Sequence, residues 1–257
     1  MNGFMSNNDI YFMEILDDII IINDNYYGII FLNSNLEQIN KVKLFDDFII
    51  YSSFKHNKEL LLFCPDNNCL IYLNLYKKAI IPLENFQNFI FCPLYFWYKD
   101  NVILTDYRGH FVNVDLVGRR LNLIDKNNKV CQDIKREMKK IEDFQFYKIY
   151  EKQKRAIAIS DNSKVKLIDY NQSVKVINEF DKEEYHDFEW VGEYIVKISD
   201  DKVKIFCNNK DIIYSFPKQS IFLKGRIMEL DRKKFFFLLY VPKGNLSEGR
   251  IEKIELI

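Results

Sequence analysis

The sequence predicts an all-β fold built from six copies of one four-strand unit. Three observations carry this. A short apolar run, a polar turn and an alternating strand recur along the chain, most clearly in AIAISDNSKVKLIDY at 156–170, which is the pattern of a β-hairpin. The copies begin near 19, 60, 102, 156, 194 and 235, so the successive steps are 41, 42, 54, 38 and 41 residues. The composition agrees: 22 Phe and 16 Tyr among 257 residues favour strands. With only 8 Gly and 5 Pro, Asn and Asp must make many of the turns, since both tolerate left-handed backbone and close side-chain turns.

Taken in order, the copies are IIIINDNYYGIIFLN (19–33), LLLFCPDNNCLIYLNL (60–75), VILTDYRGHFVNVDL (102–116), the 156–170 hairpin, YIVKISDDKVKIFC (194–207) and FFFLLYVPKGNLSEGRIEKIEL (235–256). The first five are each followed by a further strand, at 36–44, 79–83, 121–124, 174–180 and 212–216, and the sixth has no room for one. Between units lies one more strand candidate, at 48–53, 91–98, 144–150, 188–191 and within 220–230. Each unit then holds four strands. Its second strand is almost continuously apolar, as burial on both faces requires. Its third alternates, as in Val165 and Leu167 against Lys164, Lys166 and Ile168, which predicts one wet face. Trp97 and Trp190 sit in the strand leading into the apolar run, where packing between units is their expected role.

A period near forty residues with several strands per repeat is the pattern of a β-propeller blade. The predicted fold is a six-bladed β-propeller, a single domain over 1–257, with one inserted helix near 129–142. The helix accounts for the step of 54: Val130, Ile134, Met138 and Ile141 fall at helical spacing with charges on the other face, and Asn127 or Asn128 is the expected cap. The strand candidate at 9–16 fits either of two places, completing the last blade or forming the innermost strand of the first. The chain resembles WD-repeat-like and other six-bladed β-propellers over nearly its whole length. The resemblance rests on period and strand pattern: the Gly-His and Trp-Asp pairs of true WD repeats are absent, Trp97 being followed by Tyr98 and Trp190 by Val191. It therefore implies architecture and no functional residues. Two packed sandwiches are the alternative all-β arrangement.

Lys plus Arg equals Asp plus Glu at 37 each. Zero net charge disfavours a general nucleic-acid binder, which carries a basic excess. The N-terminus MNGFMSNNDIYF lacks the basic start and apolar core of a signal peptide, and the apolar run at 89–98 is too short to cross a bilayer as a helix. The expectation is a cytoplasmic protein with no membrane partner. Five scattered cysteines, Cys64, Cys69, Cys92, Cys131 and Cys207, read as reduced thiols rather than a disulfide framework. Cys64 and Cys69 flank one hairpin turn and are expected to face each other as buried free thiols, with a bond or a metal as the less favoured alternative.

No HExxH, CxxC, GxGxxG, GxSxG or phosphate-binding loop occurs. The three histidines, His56, His110 and His186, lie in different units. Asp106 and His110 flank one turn as a base and its orienting group would, but no nucleophile accompanies them, and a solvated turn is the better reading. The expectation is no enzyme, no metal and no cofactor. Two charged stretches stand out where the copies differ. One is EFDKEEYHDFEW at 179–190, where Glu183, Glu184, Tyr185, Asp187, Phe188 and Glu189 form an acidic, aromatic loop. The other is the basic helix with Lys135, Arg136, Lys139 and Lys140. Solvated surface is the plain reading of both. As a partner surface, charge speeds encounter and aromatics anchor it. The favoured function is a non-enzymatic protein-binding module. One version is an immunity protein that neutralises a cationic, nuclease-type toxin domain by direct complex formation. The alternative is a hydrolase- or lyase-type enzyme, or a small-ligand binder, using the central channel, which requires carboxylates or histidine converging at its mouth.

Overall fold

In a computed structural model of the chain, the apolar runs and the Asn/Asp turns between them fold into six four-stranded antiparallel sheets. The structure describes residues 3–256 except 57, 75–76, 85–90, 99–100, 107–109, 126, 130, 133–135, 137–144, 151–152, 160–163, 174, 183–184, 208–209, 213, 215 and 217–218. At 56, 91–98, 101, 105–106, 145–147, 149 and 210–212 it describes the backbone only.

Strand β1 (Gly3–Met5) precedes the first repeat. The first sheet is β2 (Met13–Leu16), β3 (Ile19–Asp24), β4 (Gly28–Leu32) and β5 (Gln38–Lys43). The second is β6 (Ser52–His56), β7 (Glu59–Cys64), β8 (Cys69–Asn74) and β9 (Lys78–Pro82), the third β10 (Phe91–Tyr98), β11 (Asn101–Asp106), β12 (Phe111–Asp115) and β13 (Arg120–Ile124). The fourth is β14 (Gln145–Tyr150), β15 (Arg155–Ile159), β16 (Lys164–Asp169) and β17 (Lys175–Asp181), the fifth β18 (Asp187–Val191), β19 (Tyr194–Ile198), β20 (Val203–Cys207) and β21 (Lys210–Ile212). The sixth holds β22 (Ser220–Leu230), β23 (Lys233–Pro242) and β24 (Arg250–Leu256), and β1 supplies its fourth strand. Gly3 pairs with Glu252 and Met5 with Arg250. The two places open to the N-terminal region are thus both taken: β2 is the first strand of the first sheet, and the earlier β1 completes the last.

The first five sheets run in sequence order, as the repeat predicts, and the sixth runs β22-β23-β24 before the N-terminal β1 closes it. Two strands are displaced from their expected spans. The second sheet begins at Ser52 rather than 48, because Phe48 and Ile50 are buried in the connection ahead of it. The last strand of the fifth sheet lies at 210–212 instead of 212–216. Asp17, Asn25, Asp47, Asn68 and Asp231 all take positive φ, the turn role expected of Asn and Asp in a glycine-poor chain.

Burial falls from the second strand to the fourth. In β3, Ile20–Asp24 are all buried, and β15 buries Ala156, Ile157 and Ala158. The third strand alternates in β12 and β16 but is covered on both faces in β4 and β8, so there the wet side begins only at the fourth strand. β5 and β17 are exposed almost throughout. Each carries a bulge, at Ile39 and Ile177, where the register skips one residue. A bulge twists an outer edge away from flat pairing with another chain, which lets each strand keep an exposed isoleucine.

The expected helix falls largely outside the described residues. Lys129, Cys131, Gln132 and Arg136 have helical backbone. The amide of Gln132 donates to the Asn128 carbonyl at 3.0 Å.

The chain forms two compact units: 1–50 with 184–257, and 51–183. In the first, Ile10, Met13, Ile20, Ile22, Phe237, Leu239 and Ile251 form a core between the first and sixth sheets, and Val196, Ile198, Phe222, Phe236 and Leu238 form one between the fifth and sixth. In the second, Leu61, Leu70, Ile81, Val102, Leu104 and Val112 join the second and third sheets. Each fully buried side chain of this size contributes about 1.5–3 kcal/mol of transfer free energy. Among the described residues, no helix is long and apolar enough to cross a membrane.

Candidate functional site

In the first unit, the opening strands of three sheets adjoin: β18, β22 and β2. Along β18, Asp187 and Glu189 share one face by the two-residue period of a strand. Both are buried, at 0% and 2% exposure, as is Glu14 of β2 at 2%. Such carboxylates need partners, and β22 supplies them. Arg226 sits 7% exposed among the three acids. Its Nη1 donates to Asp187 Oδ2 at 2.7 Å, and its Nε lies 3.4 Å from Glu14 Oε2 and 3.7 Å from Glu189 Oε2. Lys224 Nζ approaches Asp187 Oδ1 at 3.5 Å.

The backbone of β22 is shaped to this cluster. Its register skips Leu223, a bulge of the kind that re-aims groups along a strand. The Leu223 carbonyl lies 3.1 Å from His186 Nε2, and the Gly225 amide donates to Asp187 Oδ2 at 2.9 Å. A Cβ at Gly225 would lie 2.4 Å from Ile198 Cδ1 and 2.7 Å from a Phe236 ring carbon, so only glycine permits this approach. The amide of Ile15 donates to Glu14 Oε1, and Arg226 Nη1 also donates to the Gly225 carbonyl. Among the described residues this is a clasp in which one guanidinium and one half-buried ammonium face three carboxylates.

The acidic loop expected at 179–190 is therefore not one surface. Asp187, Phe188 and Glu189 are corrected from partner-binding residues to buried ones: they belong to a first strand covered on both sides. Tyr185 is half-buried, edge-on to Phe188 at 6.4 Å, with Lys197 and Lys204 each 5.8 Å from its ring centre. Arg136 is exposed. Glu183, Glu184, Lys135, Lys139 and Lys140 lie outside the described residues, as do the Asp106 side chain and the turn between it and His110. Among the described residues, no group of three or more His, Cys, Asp or Glu is placed to hold a metal ion.

An acidic, aromatic surface does occur elsewhere in the same unit, at one end of the first sheet. The β3–β4 turn exposes Tyr26 and Tyr27, at 37% and 46%. The Tyr26 ring stacks on Tyr11 at 6.0 Å, and its hydroxyl donates to Asp9 Oδ2 at 2.6 Å. That hydrogen bond, more than burial, holds the Tyr26 phenol above its ordinary range. The buried Asn23 side chain accepts from the amides of Tyr11 and Phe12 and donates to the carbonyls of Asp9 and Asn25, which fixes the turn to the segment before β2. The connection after β5 joins through Leu44 N to Tyr27 O and Phe48 N to Tyr26 O. It adds Asp46 and Asp47, both exposed, and Lys43, which pairs with Asp46 at 3.1 Å and lies 6.0 Å from the Tyr27 ring.

Sequence reasoning missed Glu14, Arg226 and the tyrosine pair. Their signals were present: a carboxylate inside the apolar MEIL, an arginine inside SIFLKGRIMEL, and two bulky aromatics where NDNYYG needs only turn residues.

No known protein family matches the chain, and no curated protein does. Solved structures match at low identity. The structure of YCF48 bound to D1 peptide is 8% identical with a TM-score of 0.55, covering 98% of this chain and 96% of that one. A catalytically inactive virginiamycin B lyase from Staphylococcus aureus with quinupristin is 8% identical with a TM-score of 0.50, covering 99% and 100%. The likeness shows the fold: the chain is a β-propeller of six four-stranded sheets.

Proposed function

We propose that the chain is a non-enzymatic protein-binding module whose docking surface is the tyrosine and aspartate end of the first sheet. The observation that carries this is the exposed pair Tyr26 and Tyr27, held on a hydrogen-bonded frame beside Asp9, Asp46 and Asp47. Tyrosine supplies large amphipathic contact area at low entropic cost, and interface hot spots are enriched in it. Three carboxylates against Lys43 favour a basic partner segment, whose encounter they accelerate. The similar solved structure of YCF48 holds a peptide, which supports a peptide ligand on this fold. The narrower version is an immunity protein whose partner is a cationic, nuclease-type toxin. It draws on the same chemistry, now at Tyr26 and Tyr27 in place of the 187–189 strand.

Calorimetry tests it, with Lys/Arg-rich peptides, acidic peptides of equal length and the purified product of the adjacent gene. Basic ligands should bind, weaken with salt, and lose tenfold or more, about 1.4 kcal/mol, with Tyr26→Ala plus Tyr27→Ala. Equal binding of acidic and basic peptides, or an unaffected double variant, would refute the surface. A tight complex with the adjacent gene product that depends on these tyrosines would support the toxin version.

The alternative reading is an enzyme or small-ligand binder, favoured by the convergence of Glu14, Asp187 and Glu189. It requires a substrate to displace Arg226, a buried guanidinium that approaches all three carboxylates. The cost of breaking these pairs favours the binding module.

A further inference from the structure

We propose that Cys64 and Cys69 form a reversible disulfide that locks the β7–β8 turn. The two cysteines are register partners at the closing pair of the hairpin. Directly opposed residues of an antiparallel pair have Cα atoms about 4.5–5.5 Å apart, within the roughly 4.4–6.8 Å that a disulfide spans. Both side chains therefore leave the same face of the sheet from positions whose usual separation a disulfide spans. Both are buried, at 0% and 3%, but they close a turn whose residues Asp66 and Asn68 are exposed. Opening the end of one hairpin is enough to admit a small oxidant.

The two thiols are not equivalent. The Cys64 thiol donates to the Cys69 sulfur; this hydrogen bond, ahead of burial, pushes the Cys64 thiol up and pulls the Cys69 thiol below its ordinary value. Cys69, the thiol held toward the thiolate, is the expected nucleophile, because the thiolate is the attacking species. With a low-molecular-weight disulfide as oxidant, the Cys69 thiolate attacks one sulfur, forming a mixed disulfide and expelling one thiolate. Cys64 then gives its proton to solvent and attacks Cys69 Sγ, expelling the second thiolate. Two cysteine thiols are oxidised, one small disulfide is reduced to two thiols, and the protons balance.

The bond would act on the turn's contacts. Asp66 accepts the Tyr51 hydroxyl at 3.2 Å, and the Asn68 carbonyl accepts the Leu83 amide at 2.7 Å, tying the turn to the chain on either side of the sheet. Asn68 itself holds a left-handed backbone, φ 48°. A covalent closing pair removes the opening motion that frees these contacts.

The test is full-length native protein equilibrated in oxidised and reduced glutathione buffers, quenched with acid and mapped by mass spectrometry. The expected product is a Cys64–Cys69 linked peptide, about 2 Da lighter than the dithiol, that reverts with excess reduced glutathione. Oxidation should also raise Tm by about 4–8 °C and slow hydrogen exchange at the Leu83 amide several-fold. Cys69→Ser should abolish the linked peptide and both shifts. If that variant does not fold, the wild-type map still decides. A native protein whose Cys64 and Cys69 stay reduced, or stop at a glutathione adduct on either one, overturns the proposal. So does a linked peptide that forms only after unfolding in denaturant.

Discussion

The acidic stretch 179–190 contains two regions of opposite fate. Glu179 and Asp181 lie on β17, the fourth strand of its sheet, with side chains 44% and 60% exposed, and pair with Lys166 and Lys164 across the ladder. Asp187 and Glu189 lie on β18, the first strand of the next sheet, and are closed around Arg226. The residue types are the same and the separation is about half a dozen positions. What differs is the strand's place in the repeat. A fourth strand has a free edge and little cover, so its carboxylates are solvated and worth little. A first strand is covered on both sides, so its carboxylates must be paired to be tolerated at all. Charge density along a sequence does not locate a surface; position within the unit does.

The largest effect is expected from removing the shared cation. Arg226→Leu removes from Glu14, Asp187 and Glu189 the guanidinium that all three approach while they stay buried, and should cost about 3–5 kcal/mol. Urea unfolding followed by tryptophan fluorescence measures it, through the buried Trp190 on the same strand as Asp187 and Glu189. A loss below about 1 kcal/mol would mean that the clasp carries no weight.

The clasp also marks where sequence reading stops. The blades were legible because each is a local hairpin pattern repeated six times, and strand burial follows from the same pattern. Glu14 and Arg226 meet across 212 positions, and no local periodicity encodes which distant strand lies next to which. The bulges at Ile39, Ile177 and Leu223 were equally hidden, since a skipped register depends on the partner strand. What the sequence did offer was a charge inside an apolar strand, which fixes that a partner exists without naming it. The tyrosine pair was missed for another reason: in a glycine-poor chain the NDNYYG turn passed as an ordinary turn, and nothing local says that its two rings stay outside.

A smaller effect separates the members of the clasp. Asp187→Asn keeps an acceptor for the Gly225 amide but removes the charge opposite Arg226 Nη1, and should cost about 1–3 kcal/mol. Glu189→Gln removes a charge 3.7 Å from the guanidinium, beyond hydrogen-bond length, and should cost less than half as much. Matched urea titrations give both values. The reverse ranking would place the anchor of the clasp at Glu189 and reduce the Gly225 contact to a bystander.

The smallest effect is expected on the outer strand. Glu179→Gln removes a carboxylate 3.7 Å from Lys166 Nζ, with both side chains partly in water. Exposed pairs of this kind contribute about 0–1 kcal/mol, and salt screens them with a Debye length near 10 Å at 0.1 M. The variant should therefore lie within about 0.5 kcal/mol of the parent at low salt and coincide with it at 1 M. Asp187→Asn should keep most of its cost at the same salt, because the pair it breaks is buried at 0% and 7% exposure and ions do not reach it. Salt dependence, rather than the size of either loss, is then the sharper discriminator. If the loss from Glu179→Gln survives 1 M salt, β17 is covered by something that the chain alone does not show, and its exposed Val176 and Ile177 become the place to look for it.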